Sequence, residues 1–169
     1  MIPVLSVENM RASDAATIRG GVSGRELMAR AGKAIFESVS WRPPVAIFCG
    51  SGNNAGDGYV LASHLMNAGI PCTLFLTSDR FSPDGQYYFD RCATEGADIR
   101  RWESGTDLSP WNTLADCLFG TGFRGAVQGA AAEVIQAINA RKAYTVSVDI
   151  NSGLGGDNGL GDLCVESDL

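Results

Sequence analysis

One histidine, His64, serves the whole sequence, and the five cysteines are scattered without a single C-x-x-C pair. That scarcity argues against the ligand clusters that zinc or iron would need. His64 stands among Leu61, Leu65 and Met66 on a helix-like stretch, where packing is the expected role. Neither a Ser-His-Asp nor a Cys-His nucleophile is supportable around it. Positive charge is also in short supply. Lys and Arg number 13 against 19 Asp and Glu, a net charge of −6, and the cations stand singly or in pairs such as Arg100-Arg101 and Arg141-Lys142. No nucleic-acid surface or polybasic membrane segment is expected from such a distribution. No apolar run approaches membrane-span length, and Met1-Ile2-Pro3-Val4-Leu5 is too short and uncharged for a signal peptide. Three cysteines sit in apolar strand-like runs as small buried hydrophobes, and an odd count without a leader points to a reducing compartment. A soluble cytoplasmic protein, with no membrane or nucleic-acid partner, is the expectation.

Present instead is an alternation of strand and helix patterns in a chain long enough for one domain, residues 1–169, with 45% hydrophobic and 19% charged residues. Helices are expected at 7–19 and 23–40, the second opening on the capping box Ser23-Gly24-Arg25-Glu26. Pro43-Pro44 ends it and introduces the apolar strand Val45–Cys49. Helix 57–68, strand 72–76 and a helix from the Ser82-Pro83 cap to Thr94 follow. Strands at 98–102 and 113–119, helix 129–141 and strand 145–149 complete the regular part. Residues 150–162 read as a glycine-rich loop, after which Leu163-Cys164-Val165 reads as the opening of one more strand. The implied fold class is α/β, a mostly parallel sheet with helices on both faces.

Ligands bind such sheets at the carboxyl ends of the strands, so the loops after 45–49, 113–119 and 145–149 should converge. The first, Gly50-Ser51-Gly52-Asn53-Asn54-Ala55-Gly56-Asp57-Gly58, feeds a strand into a helix whose free N–H groups favour an anion. The second contains Asp116, Gly120, Thr121, Gly122 and Arg124, with glycines that let a ligand approach and a guanidinium suited to phosphate. The third is Asp149-Ile150-Asn151-Ser152-Gly153. Hard oxygen and amide donors dominate all three, so any bound ion should be an alkali or alkaline-earth cation. Each element also has a plainer reading: tight turn geometry for the glycines, a loop cap for a lone Asp. Trp41, Trp102 and Trp111 fall outside these loops and are assigned to packing.

Together these residues resemble the YjeF N-terminal domain family, the NAD(P)HX epimerases. Leu5 to Gly32 is similar to the family's opening, notably Met10-Arg11, Asp14, Gly21-Val22-Ser23 and Leu27-Met28-x-x-Ala31-Gly32. Gly52–Gly58 resembles the family's G-N-N-G-G-D-G, Asp116–Gly122 its D-x-L-F-G-T-G, and Val148–Gly153 its V-D-I-P-S-G. The resemblance implies a Rossmann-like three-layer α/β/α fold and epimerisation at C6 of hydrated NADH or NADPH. It also implies functional coupling to a dehydratase that accepts the S form, and it suggests homodimers. By the same resemblance, substrate contacts fall on Asn53, Asn54, Ala55, Gly56 and Asp57. They continue on Gly120, Thr121, Gly122, Phe123, Arg124, Gly125 and Ala126, and on Asp149. A potassium ion would be held near Asn54, Asp116 and Ser152. Asp149 is the first candidate for the acid/base and Asp57 the second.

Three departures stand out. Ala55 replaces a usual glycine, and Asn151 a common proline. Family members also continue beyond the point matching Glu166–Leu169, which leads one to expect a truncated fold with an exposed sheet edge. A non-catalytic nucleotide-binding or scaffold module of the same fold is the alternative, favoured by the short C-terminus and disfavoured by the polar groups gathered in one cleft. An NAD-dependent dehydrogenase is disfavoured because the loop is not G-x-G-x-x-G and no acidic residue stands at the ribose position after the next strand.

Overall fold

The computed structural model describes residues 6–169. Met1 to Leu5, on which the leader reading rests and where the family resemblance begins, lie outside the described residues. Two helices, α1 (Val7–Arg19) and α2 (Gly24–Ser38), precede β1 (Val45–Cys49). Then follow α3 (Asn53–Asn67), β2 (Cys72–Leu76), α4 (Pro83–Thr94), β3 (Asp98–Arg101), β4 (Thr113–Cys117), α5 (Gly129–Ala140) and β5 (Tyr144–Ser147). All four strand pairings are parallel and the order is β3-β2-β1-β4-β5. The order reverses between β1 and β4, which makes the gap beyond their carboxyl ends the place where a doubly wound sheet receives a ligand.

Alternation along the strands divides the core in two. Ile47, Cys49, Leu74, Leu76, Ala115 and Cys117 pack with Leu61 and Leu65 of α3, Met28 of α2 and Cys92 of α4. Ala46, Phe48, Phe75 and Leu114 point the other way, onto Val134, Ile135 and Ile138 of α5. No helix spans the connection from β3 to β4. Trp102, Leu108 and Trp111 cover that part of the sheet, with Trp111 Nε1 donating to Thr73 Oγ1 at 3.3 Å. Each fully buried Ile, Leu or Phe in these layers contributes roughly 1.5–3 kcal/mol. The packing role expected of the tryptophans is what the structure gives. His64 likewise stacks on Phe36 at 5.6 Å.

Helix starts follow their caps. Ser6, Ser23 and Ser82 each accept a hydrogen bond from the backbone N–H three residues on. The capping box at Ser23 is only half made, because Glu26 turns to pair with Arg30. Asp168 and Leu169 run beside β5: Ser147 N–H donates to Leu169 O at 2.8 Å and Asp168 N–H to Thr145 O at 2.8 Å. Thr145 N–H also donates to the Asp168 carboxylate at 2.8 Å. The sheet edge expected to lie open is therefore partly paired. Leu163-Cys164-Val165 forms no strand. It is held instead through Val165 N–H to Ser152 O and Asn139 Nδ2 to Cys164 O. No helix among the described residues is long and apolar enough to cross a membrane.

Candidate functional site

The glycine-rich segment after β1 is not a loop throughout, as its composition suggests. α3 begins at Asn53, four residues earlier than expected, so Asn53-Asn54-Ala55-Gly56 forms its first turn and Asp57 the start of its second. Gly52 is the N-cap and supplies no side-chain hydrogen bond. The first N–H groups and the positive end of the dipole are therefore left facing outward. Ala55 is helical and nearly fully buried, so the glycine it replaces is not required for a left-handed backbone there. Gly50 is required, because a Cβ on it would lie 2.2 Å from Leu118 O. That close approach presses the β1 and β4 loops together.

The three loops converge as the sheet rule demands. They line a cavity of about 730 Å³ with Ser51, Asn53, Asn54 and Asp57 from the first, Leu118–Phe123 from the second, and Val148 and Asp149 from the third. The roof was not foreseen. Met10, Arg11 and Asp14 of α1, with Ala31 and Ile35 of α2, close the same space. Asp14 lies one turn beyond the neighbouring Met10 and Arg11 on a helix with little apolar patterning, and that spacing is the one sequence signal for a shared face. Arg124, Gly125 and Ala126 do not line this cavity. They face an adjoining one of about 370 Å³, shared through Phe123 and walled on its far side by Gly153, Gly155 and Leu160–Leu163. Arg124 Nη1 donates to Thr121 O at 3.1 Å and Phe123 O at 2.7 Å, and its Nη2 lies 3.2 Å from Asp157 Oδ2.

Asp149 sits just beyond the end of β5 rather than within the strand, in the left-handed region at φ 69°. A non-glycine residue held there signals a locally over-determined backbone. Its carboxylate accepts the Thr121 N–H at 2.7 Å. Gly120 makes room for it, since a Cβ at that position would lie 2.5 Å from Asp149 Oδ2 and 3.5 Å from Asn54 Cβ. Asp57 is half-buried, and its pKa is pushed up to about 7, first by burial and then by the neighbouring carboxylates of Asp149 and Asp14. Its proton is therefore lost in the neutral range and not near pH 3.8.

Behind the cavity lies a second polar group. Asp116 is fully buried. One carboxylate oxygen accepts from Leu118 N–H at 3.2 Å and Ser152 Oγ at 2.5 Å; the other accepts from Ser152 N–H at 2.8 Å and Ser147 Oγ at 3.0 Å. Burial raises its pKa even so, with the Ser152 hydrogen bonds pulling the other way. Ser152 Oγ also takes the Phe119 N–H at 2.8 Å. Asn54 is buried, and neither its Oδ1 nor its Nδ2 has a partner among the described residues. An unpartnered amide costs about 1–3 kcal/mol, so it calls for a partner from outside the chain. Where the family has proline, Asn151 donates through Nδ2 to Val165 O at 2.8 Å and Ser167 Oγ at 2.9 Å, tying down the C-terminal segment.

The family model of the YjeF-related protein N-terminus matches residues 24–169. The NAD(P)H-hydrate epimerase of Rhodobacter capsulatus is 34% identical over 93% of this chain and 80% of its own length. The bifunctional NAD(P)H-hydrate repair enzyme Nnr of Methanothermobacter thermautotrophicus is 32% identical over 98% of this chain. This chain spans only about 35% of that longer relative. The crystal structure of a yeast protein superposes with a TM-score of 0.83 over 98% of this chain and 78% of its own, at 20% identity. The topology, the four ordered motifs and these relatives agree: the chain belongs to the YjeF N-terminal family.

Proposed function

We propose that this chain is an NAD(P)H-hydrate epimerase, interconverting the R and S forms of hydrated NADH or NADPH so that a dehydratase can restore the cofactor. The observation that carries this reading is the meeting of Asp57, Asp149 and the uncapped α3 N-terminus in one cavity at the switch point. The relatives' names support both the substrate and the coupling, since the longer ones are bifunctional repair enzymes.

In this reading the α3 N–H groups and the Gly120–Gly122 backbone receive the dinucleotide phosphates. Arg124 approaches the phosphates from the adjoining cavity. Asp149, fixed by Thr121 N–H, faces the hydrated ring as the base. Asp57, with its pKa raised towards neutrality, is the group able to return a proton as the C6 hydroxyl leaves or the ring opens. The three carboxylates Asp14, Asp57 and Asp149 would repel a dinucleotide, and a proton on Asp57 lowers that repulsion.

A potassium ion fits the group behind the cavity. Among the described residues the Asn54 amide oxygen lacks a partner, and the buried Asp116 carboxylate has no cationic side chain bonded to it. Ser152 adds a hydroxyl. Amide, carboxylate and hydroxyl oxygens are the donor set of a hard cation. When bound, the ion would supply positive charge against the buried carboxylate and hold the first and second loops in register.

The test adds the purified protein to R-NADHX with a dehydratase that consumes only the S form, with and without potassium. Conversion faster than spontaneous epimerisation, and faster still with potassium, is the expected result. Binding of hydrated dinucleotide with no acceleration would overturn the enzyme reading in favour of a nucleotide-binding module.

A further inference from the structure

One carboxylate outside the proposed machinery is joined to two elements at once. Asp157, in the glycine-rich segment after β5, accepts the backbone N–H of Val7 at 3.0 Å through Oδ1. Through Oδ2 it meets the Arg124 guanidinium at 3.2 Å. Val7 is the first residue of α1, so Asp157, 150 residues away in sequence, sits at the positive end of that helix. Arg124 is in turn fastened to Thr121 O and Phe123 O of the β4–α5 loop. A single side chain thus links the start of α1, the tail segment and the second loop.

Beyond the Ser6 cap, α1 has little else to hold it among the described residues. Val7, packed against the Gly156 backbone, is its one buried residue, and the helix ends at Gly20-Gly21, with Gly21 at φ 101°. Yet α1 supplies Met10, Arg11 and Asp14 to the cavity roof. A Cβ at Gly122 would lie 3.2 Å from Arg11 Nη2, so the guanidinium rests on the second loop. The Asp157–Arg124 pair taken alone is about half exposed on both sides (54% each) and worth little. Its weight comes from the same carboxylate also capping the roof helix.

We propose that Asp157 is a positioning residue that latches α1 over the cavity and aims Arg124, acting on substrate binding and not on proton transfer. The kinetic half of this proposal rests on the epimerase reading; the α1 half does not. Two variants separate the contacts. Asp157→Asn keeps an acceptor for the Val7 N–H and loses the charge facing Arg124, whereas Asp157→Ala loses both. The measurements are amide hydrogen exchange across α1, with β1 and β4 as internal references, and KM and kcat for R-to-S conversion.

In Asp157→Ala, α1 amides should exchange about tenfold faster while the sheet is unchanged, as expected for loss of one charge-assisted hydrogen bond. KM should rise about tenfold with kcat within about twofold. Asp157→Asn should leave α1 protection near that of the parent while KM rises a few-fold. Unchanged α1 protection in Asp157→Ala, or a fall in kcat at constant KM, would overturn the latch. If the parent protein shows no conversion at all, the epimerase reading fails, and the exchange comparison still decides the α1 half.

Discussion

Two polar regions share the switch-point end of the sheet, and they are built on opposite rules. Around Asp116, four hydrogen bonds from Ser152, Ser147 and Leu118 close on a carboxylate with no solvent exposure. Around Asp149 and Asp57, the carboxylates face an open cavity, and Asp149 keeps a single backbone donor, the Thr121 N–H. A closed, hydrogen-bonded carboxylate is pinned and suits a fixed structural role, its negative charge still felt by a neighbouring cation. An open one with spare lone pairs, beside an Asp57 whose pKa is pushed up to about 7, suits chemistry. The Asn54 amide, without a partner among the described residues, lines the open cavity with Asp57 and Asp149.

The comparison breaks most sharply by removing the open carboxylate. Asp149→Asn keeps an oxygen for Thr121 N–H, so the melting temperature should hold while R-to-S conversion falls by roughly 10²–10⁴-fold, the usual contribution of a positioned acid or base. A coupled dehydratase assay beside a thermal melt reads both. Asp116→Ala should do the reverse in kind. It strands several buried donors and should cost about 3–5 kcal/mol of stability, seen as a lower denaturant midpoint. Gly120→Ala sharpens the boundary: its Cβ falls 2.5 Å from Asp149 Oδ2, so activity should drop about 10–100-fold with little change in melting.

The smallest effect is electrostatic. Asp57 has a folded pKa near 7 against 3.8 ordinarily. The folded state therefore binds its proton more tightly than the unfolded chain does. The stability this contributes is complete below about pH 3.8 and is lost as pH rises towards 7. Asp57→Asn removes the cost of the buried charge. Relative to the parent, its melting temperature should be higher by roughly 3–8 °C at pH 8, with the gap narrowing towards pH 4.5. Equal melting curves at both pH values would place Asp57 in an ordinary solvated environment.

Much of the fold was legible because most strands are near-continuous apolar runs and three of the five described helices carry Ser caps. Val45–Cys49, Cys72–Leu76 and the Ser82-Pro83 start fall where the pattern puts them. The start of α3 was misplaced because glycine and asparagine read as loop formers, yet Gly52-Asn53-Asn54 begins a helix whose interior, Tyr59 to Leu65, is buried on nearly every side. Tertiary packing overrode local propensity there. The convergence of the three loops followed from the parallel topology alone. The roof did not, because nothing local marks a largely exposed helix such as α1 as folding over the carboxyl ends of the strands. The separation of Arg124–Ala126 into the adjoining cavity was equally hidden, since that cavity is walled by the distant tail segment, where Asp157 meets Arg124 from 33 residues along the chain.

The contrast between the closed and open carboxylates is tested most directly by a potassium series on the parent, Asp149→Asn and Asp116→Asn, following R-to-S conversion. Asp149→Asn should stay inactive at every potassium concentration, while Asp116→Asn should regain activity only at higher potassium than the parent needs. Full activity in Asp149→Asn, or a potassium response in Asp116→Asn identical to that of the parent, would contradict the division of labour between the two regions.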